Sequence, residues 1–261
     1  AEYVVSLAVT DSASNTGTDT ETVAVGNVAP TVAADSAAVT VDEASEAVNT
    51  GTFGDVGDDT VTITVSVGTV TQGAGTWSWS YTPADGPDDS QTVTITATDS
   101  DGAFTTTTFE LTVNNVLPAV AISGDASVDE GSIYTLTIGT VTDPGTDTIN
   151  EYIVHWGDGT STSVASAGPV EHTYADGPNS YAITVDVVDE DGTHTDRANA
   201  LGVTVDNMAP TPDAGGPYTV IEGDDLMLNG SATDPSAPDQ AALTYEWDID
   251  DDGEFDNAMG A

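Results

Sequence analysis

The sequence predicts an all-β protein built as a row of small two-layer β-sandwiches, two complete and two partial. Three observations carry this. Val and Ala dominate the apolar residues, Thr is abundant, and short runs alternate apolar with polar, the period of a half-buried strand. Gly, Asp and Pro turn signals break these runs about every 8–12 residues. The phrase Asn-x-x-Pro recurs at Asn27–Pro30, Asn115–Pro118 and Asn207–Pro210, with spacings of 88 and 92 residues, which is a repeat period.

The predicted cuts follow from that phrase. Residues 30–117 and 118–209 form complete repeats. Their landmarks align: Val41-Asp42-Glu43-Ala44 with Val128-Asp129-Glu130-Gly131, Ala84–Pro87 with Ala175–Pro178, and Asp99–Gly102 with Asp189–Gly192. Residues 1–29 match only the last two strands of a repeat, because Tyr3–Asp11 echoes Tyr181–Asp189. Residues 210–261 match only an opening half. Half-sandwiches expose sheet edges, and open edges seek partners. The expected setting is a window on a longer array. The alternatives are disordered halves, or halves that pair between copies.

Each strand has its own signal. In the second repeat Ile133–Val141 is a strand, and Asn150–Trp156 alternates before a Gly157-Asp158-Gly159 turn. Val170–Tyr174 is short. Tyr181, Ile183, Val185 and Val187 share one face, and Leu201, Val203 and Val205 close the unit. In the first repeat Val61–Val65, Trp77–Tyr81 and Val93–Ala97 play matching parts. No stretch shows a helical apolar stripe, so no helix is expected.

Composition excludes several functions. There are 45 Asp and Glu against one Lys or Arg, a formal net charge of -44. Phosphate contacts need cations, so nucleic acid is excluded as a partner, as is direct docking on anionic lipid. No apolar run is long enough to span a membrane. Cysteine is absent, so no disulfide supports the small cores. With this many carboxylates, a metal is the expected staple.

The second repeat carries His155-Trp156-Gly157-Asp158-Gly159-Thr160, then His172-Thr173-Tyr174, then a Val-rich strand ending in Asp189-Glu190-Asp191. In these residues it resembles the PKD domain, an immunoglobulin-like sandwich of extracellular proteins. Gly215–Tyr218, Glu222-Gly223, Thr233-Asp234-Pro235 and Tyr245–Asp248 carry the opening half of the same pattern. The first repeat departs from it, with Trp77-Ser78-Trp79-Ser80-Tyr81 in place of Trp-Gly-Asp-Gly. It is more similar to bacterial Ig-like or cadherin-like repeats. The resemblance implies tandem immunoglobulin-like β-sandwiches in an extracellular or cell-surface spacer, adhesive or surface-layer role, and no catalysis.

Calcium is the expected cofactor, at two kinds of place. The first is Asp248-Ile249-Asp250-Asp251-Asp252-Gly253-Glu254-Phe255-Asp256. Asp248, Asp250, Asp252 and Asp256 fall at positions 1, 3, 5 and 9, and the Gly permits the wrap that converges their oxygens. It is similar to the calcium loops of integrin-type propeller blades. The second is the junctions, where turns from neighbouring immunoglobulin-like repeats meet. At the middle junction Glu43 and Asn115 would face Asp143, Asp147, Asp189 and Asp191. At the last, Glu130, Asp206 and Asn207 would face Asp213, Asp234 and Asp239. At the first, Asn27 would face Asp55, Asp58, Asp59, Asp99 and Asp101. Packed carboxylates repel, and a divalent ion removes that cost. Cadherin junctions resemble this plan. The plain alternative is polar turns, where Asp is common anyway.

Catalytic motifs are missing: no G-x-S-x-G elbow, no thiol, no phosphate loop followed by Lys. His155 and His172 pack at a core edge or satisfy a hydrogen bond, with a shared zinc as the alternative. Trp77, Trp79 and Tyr81 share one face, expected to be core, with a sugar-stacking platform as the alternative. The leading reading is a calcium-rigidified structural or adhesive repeat protein whose partners are neighbouring repeats, or like copies in a fibre or surface layer. Its rival is an accessory polysaccharide-binding region of a secreted hydrolase. Adaptation to high salt is a third explanation of the charge.

Overall fold

A computed structural model of the chain describes residues 2–57, 59–249, 251, 253–255 and 258–259. Two compact units are present, Ala1–Val116 with Pro144–Thr146, and Leu117–Asp143 with Asp147–Ala261.

The first unit opens with a hairpin, β1 (Glu2–Thr10) and β2 (Thr16–Ala24), paired antiparallel with Tyr3 opposite Val23. Asp11 nucleates its turn by accepting the Ala13 and Asn15 amides on Oδ1 at 2.9 and 2.8 Å. A sandwich follows, of β3 (Thr31–Ala34), β4 (Ala38–Asp42), β5 (Ala47–Gly54), β6 (Thr62–Val65), β7 (Thr69–Gln72), β8 (Thr76–Tyr81), β9 (Gln91–Thr98) and β10 (Phe104–Asn114). Its sheets run β3-β5-β8-β7 and β4-β10-β9-β6. β4 lies parallel to β10, with Val41 beside Val113, and the other pairings are antiparallel.

The period-2 pattern decides which residues enter the core. Trp77 and Trp79 on β8, Val93, Ile95 and Ala97 on β9, and Phe109, Leu111 and Val113 on β10 are all buried. Each large side chain so placed contributes roughly 1.5–3 kcal/mol. Trp79 meets Phe109 edge-on at 4.9 Å and donates its indole N–H to the Val67 carbonyl at 2.7 Å. Gly51 is required beneath Trp77, since a side chain there would lie 2.4 Å from the ring.

The second unit contains β11 (Ala119–Ser123), β12 (Ser127–Asp129), β13 (Ile133–Thr142), β14 (Glu151–His155), β15 (Ser161–Val164), β16 (Gly168–Thr173), β17 (Asn179–Val188), β18 (Thr193–His194) and β19 (Leu201–Asp206). The sheets run β11-β13-β16 and β12-β19-β17-β14-β15, with β18 on β17. β12 is parallel to β19, Val128 beside Val205, as β4 is to β10. Tyr134, Leu136, Trp156, Ile183, Val185 and Val205 form the heart of the core.

The same unit continues with β20 (Thr211–Asp213) paired to β21 (Ser231–Thr233), a short helix α1 (Ala237–Ala242), and β22 (Glu246–Trp247) paired to β23 (Ala258–Met259). The helix corrects the sequence expectation. It has no buried residue, so no apolar stripe marks it. Its start is fixed by Ser236, whose hydroxyl caps the Asp239 amide at 3.3 Å, with Pro in the first turn.

Candidate metal centre

The two landmark glutamates point inward. Glu43 and Glu130 are each only 1 % exposed. Glu43 accepts the Gly86 amide on Oε2 at 2.9 Å and the Val116 amide on Oε1 at 2.8 Å. Glu130 accepts the matching Gly177 amide at 2.7 Å and Met208 amide at 3.0 Å. Each thus ties a mid-repeat turn to the residue after the Asn of the linker. Charge-assisted bonds of this kind are short and strong. Both are among the ligands expected from the sequence, and each carboxylate also accepts two amides of the neighbouring turns.

The paired hairpin aspartates are also drawn into their own turns. Asp99 Oδ1 accepts from Asp101 and Ala103, and Oδ2 accepts the Asn27 side-chain amide at 2.8 Å. Burial pushes the Asp99 carboxyl up, but Asn27 and the turn amides outweigh it and hold the group below its ordinary value. Asn27 and Asp99 therefore meet as expected, through a hydrogen bond. Asp55 is half-buried and accepts its neighbour Val56 at 2.7 Å, Asp59 accepts the Ser100 hydroxyl, Asp101 is exposed, and Asp58 lies outside the described residues. Among the described residues these acids do not converge as a three-carboxylate cluster. Asp189 is buried, accepts from Asp191 and Gly192 on Oδ1, and has His194 Nε2 at 2.7 Å from Oδ2. Asp191 is exposed, while Asn115, Asp143 and Asp147 are half-buried.

Three of the residues expected at the last junction lie together inside the second unit. Glu130, Asp234 and Asp239 each bring a carboxylate oxygen within 4.8 Å of the others. Three contacts position them. Asp234 Oδ1 accepts the Ser236 amide at 2.9 Å. The fully buried Ser236 hydroxyl donates to Asp176 Oδ1 at 2.7 Å. Gly131, at φ 72°, packs so closely on Pro235 that a side chain would sit 2.8 Å from it. Desolvation, then the charges of Asp176, Asp234 and Glu130, push the Asp239 carboxyl above its usual range. Asn207 lines the same hollow of about 300 Å³. Asp206 gives its carbonyl to the Glu130 amide and leaves its side chain exposed. Asp213 is a correction: it borders the hollow of Trp247 and stands outside the cluster.

In the acidic loop, Asp248 accepts the Asp251 amide at 2.8 Å and the Gly253 amide at 3.0 Å, the wrap expected there. Asp250, Asp252 and Asp256 lie outside the described residues.

The histidines serve the fold. His172 stacks on Trp156 with ring centres 4.6 Å apart and donates to Asp158 Oδ2 at 2.7 Å, while His155 pairs with Asp186 at 2.9 Å. Asp158 also accepts the Thr160 amide and hydroxyl. Desolvation raises its carboxyl, but Thr160 and His172 prevail and hold it below the ordinary value. The Trp-Gly-Asp-Gly-Thr and His-x-Tyr phrases are thus two halves of one lock. Trp77 and Trp79 are 2 % and 1 % exposed, which removes the sugar-stacking alternative for that strand.

Residues 115–205 match the family model of the PKD domain, and residues 27–112 that of the bacterial Ig domain. No curated protein matches the chain. Similar solved structures include the titin domains Z1Z2 in complex with telethonin, 18 % identical, covering 71 % of this chain and 100 % of that one at a TM-score of 0.38. Others are the Clostridium thermocellum CbhA fibronectin(III)-like modules (16 %, 67 % and 93 %, 0.31) and protocadherin Gamma B2 extracellular cadherin domains 3–6 (16 %, 90 % and 67 %, 0.32). The chain is thus a tandem of immunoglobulin-like β-sandwich repeats, one similar to the PKD domain and one to the bacterial Ig domain.

Proposed function

We propose that this is a calcium-stiffened spacer, divided at residues 1–29, 30–117, 118–209 and 210–261, whose repeats are tied to one another through carboxylates at their linkers. The observation that carries the reading is the cluster of Glu130, Asp234 and Asp239. Its hard oxygens, with the Asn207 amide oxygen and water, suit a flexible calcium cage. The ion would remove the repulsion that raises Asp239. It would also join the second complete repeat to the half-repeat after it, because Glu130 is anchored in the former and Asp234 and Asp239 belong to the latter. By repeat equivalence, Glu43 with Asn115 and Asn27 with Asp99 mark the other two junctions.

The test is a calcium titration followed by thermal melting and small-angle scattering. At a hundredfold excess over Kd, native-state binding stabilises by about 2.7 kcal/mol. Asp239→Asn should lose that increment while melting no lower than the parent in chelator. Unchanged melting and unchanged dimensions in calcium sink the reading. A gain produced equally by molar sodium chloride would assign the charge to salt adaptation instead.

A further inference from the structure

The outer face of the β4-β10-β9-β6 sheet differs from the other surfaces of the first sandwich. On its three neighbouring strands β6, β9 and β10, residues alternate between core and solvent. The inward positions hold Ile63, Val93, Ile95, Ala97 and Phe109. The outward positions hold mostly threonine, and the register aligns them. Thr64, Thr96 and Thr106 form one rank across the three strands. Thr62 lies opposite Thr98 on one side of that rank, and Thr94 opposite Thr108 on the other. Among the described residues, none of these seven hydroxyls has a hydrogen-bond partner within the protein. Phe104, 65 % exposed, continues the line of Thr62 and Thr98.

Neither the charge of the chain nor the fold accounts for this pattern. The chain carries 45 acids, yet the three strands hold one, Glu110, whose carboxylate accepts the Thr92 hydroxyl at 3.0 Å. The corresponding face of the second sandwich, on β14 and β17, holds Glu151, Ile153, His155, Ala182, Thr184 and Asp186. The same architecture therefore stands without threonine ranks, and with charge in their place.

The spacing points to an occupant. Neighbouring strands set the hydroxyls about 4.8 Å apart across a rank, and alternate residues set them roughly 6.7 Å apart along a strand. Threonine is stiff at χ1, so hydroxyl and methyl are held in a restricted order. The oxygen rows of hexagonal ice repeat at distances close to these two. A carboxylate would impose its own hydration shell on the first water layer. Unpaired hydroxyls and methyls leave that layer free to take lattice positions. Strand twist of roughly 20–25° per neighbour confines the match to these three strands. We propose that the threonine face of the first sandwich binds crystalline ice, centred on the rank of Thr64, Thr96 and Thr106. The match lies within one sheet of one sandwich and needs no metal, so it stands apart from the calcium reading.

The test uses the 261-residue chain in dilute buffer with chelator, and measures thermal hysteresis and the coarsening of ice grains. The parent should hold a gap between freezing and melting points and should arrest coarsening at micromolar concentration. Thr64→Glu and Thr106→Glu each place a carboxylate at an exposed position of the rank, outside the core, and each should abolish both effects. Thr135→Glu, exposed on β13 of the second sandwich, adds the same charge elsewhere and should retain both. Thermal melting checks that the variants are folded, and Thr64→Glu, on the edge strand, should melt with the parent. A parent without hysteresis and without arrest overturns the proposal, as do folded rank variants that keep both effects. Loss in Thr135→Glu as well assigns the effect to net charge and overturns it too. Retention of the parent on a neutral polysaccharide, with no effect on ice, gives the face to a glycan instead.

Discussion

The two complete sandwiches solve the same problem with different aromatics and the same acid. In the first, Trp77 and Trp79 lie side by side on β8 and meet Phe109. In the second, one Trp at the end of β14 is locked by Asp158, His172 and Tyr174. Yet Glu43 and Glu130 occupy equivalent places, equally buried, and grip equivalent amides. The core filling is exchangeable between repeats, while the carboxylate that fastens the linker is not. Part of the acidity is therefore architectural, apart from any role toward ions.

The largest effects should come from the cores. Trp79→Ala and Trp156→Ala should each cost about 3–5 kcal/mol. Chemical denaturation of the full chain should show two transitions, each variant shifting only its own. A shared shift would break the comparison by making the sandwiches one cooperative block. Next come the glutamates. Glu43→Ala and Glu130→Ala each orphan two buried amides, at about 1–3 kcal/mol apiece. Hydrogen exchange should accelerate at Gly86 and Val116 in the first variant, and at Gly177 and Met208 in the second. Unaltered protection at those amides would remove the fastening role. Smaller still is the pH response, which separates two acids of the second unit. The Asp158 carboxyl is lowered on folding, so its stabilisation is complete above the ordinary carboxyl value, about pH 4, and is lost as pH falls through the folded value. The Asp239 carboxyl is raised, so its repulsion weighs at neutral pH and is relieved as pH falls through its raised value. Carboxyl-carbon titration by NMR should place the two midpoints on opposite sides of the ordinary one.

Strand positions were legible because period-2 runs such as Tyr181–Val187 state which side chains go inward. The repeat was legible because turns need particular residues at particular places. Side-chain direction at those turns was not. Glu130 and Asp213 look alike in sequence, and only packing sends one into the protein and leaves the other beside Trp247. The His–Asp pairs were hidden for a compositional reason: acids are so frequent that any His has several in range. The helix α1 was hidden because six residues with a Ser cap and no buried face leave no periodicity to see.

The solitary cation has a consequence for proteolysis. A protease that cuts after Lys or Arg finds a single scissile bond in 261 residues, the one between Arg197 and Ala198. Arg197 is half-buried, its side chain holds the Pro118 carbonyl at 2.7 Å, and its own amide and carbonyl are taken by Val185 and Val120. Cleavage requires that this corner of the second sandwich open first. Trypsin digestion is thus a one-cut clock for that opening, and such enzymes leave the rest of the string intact.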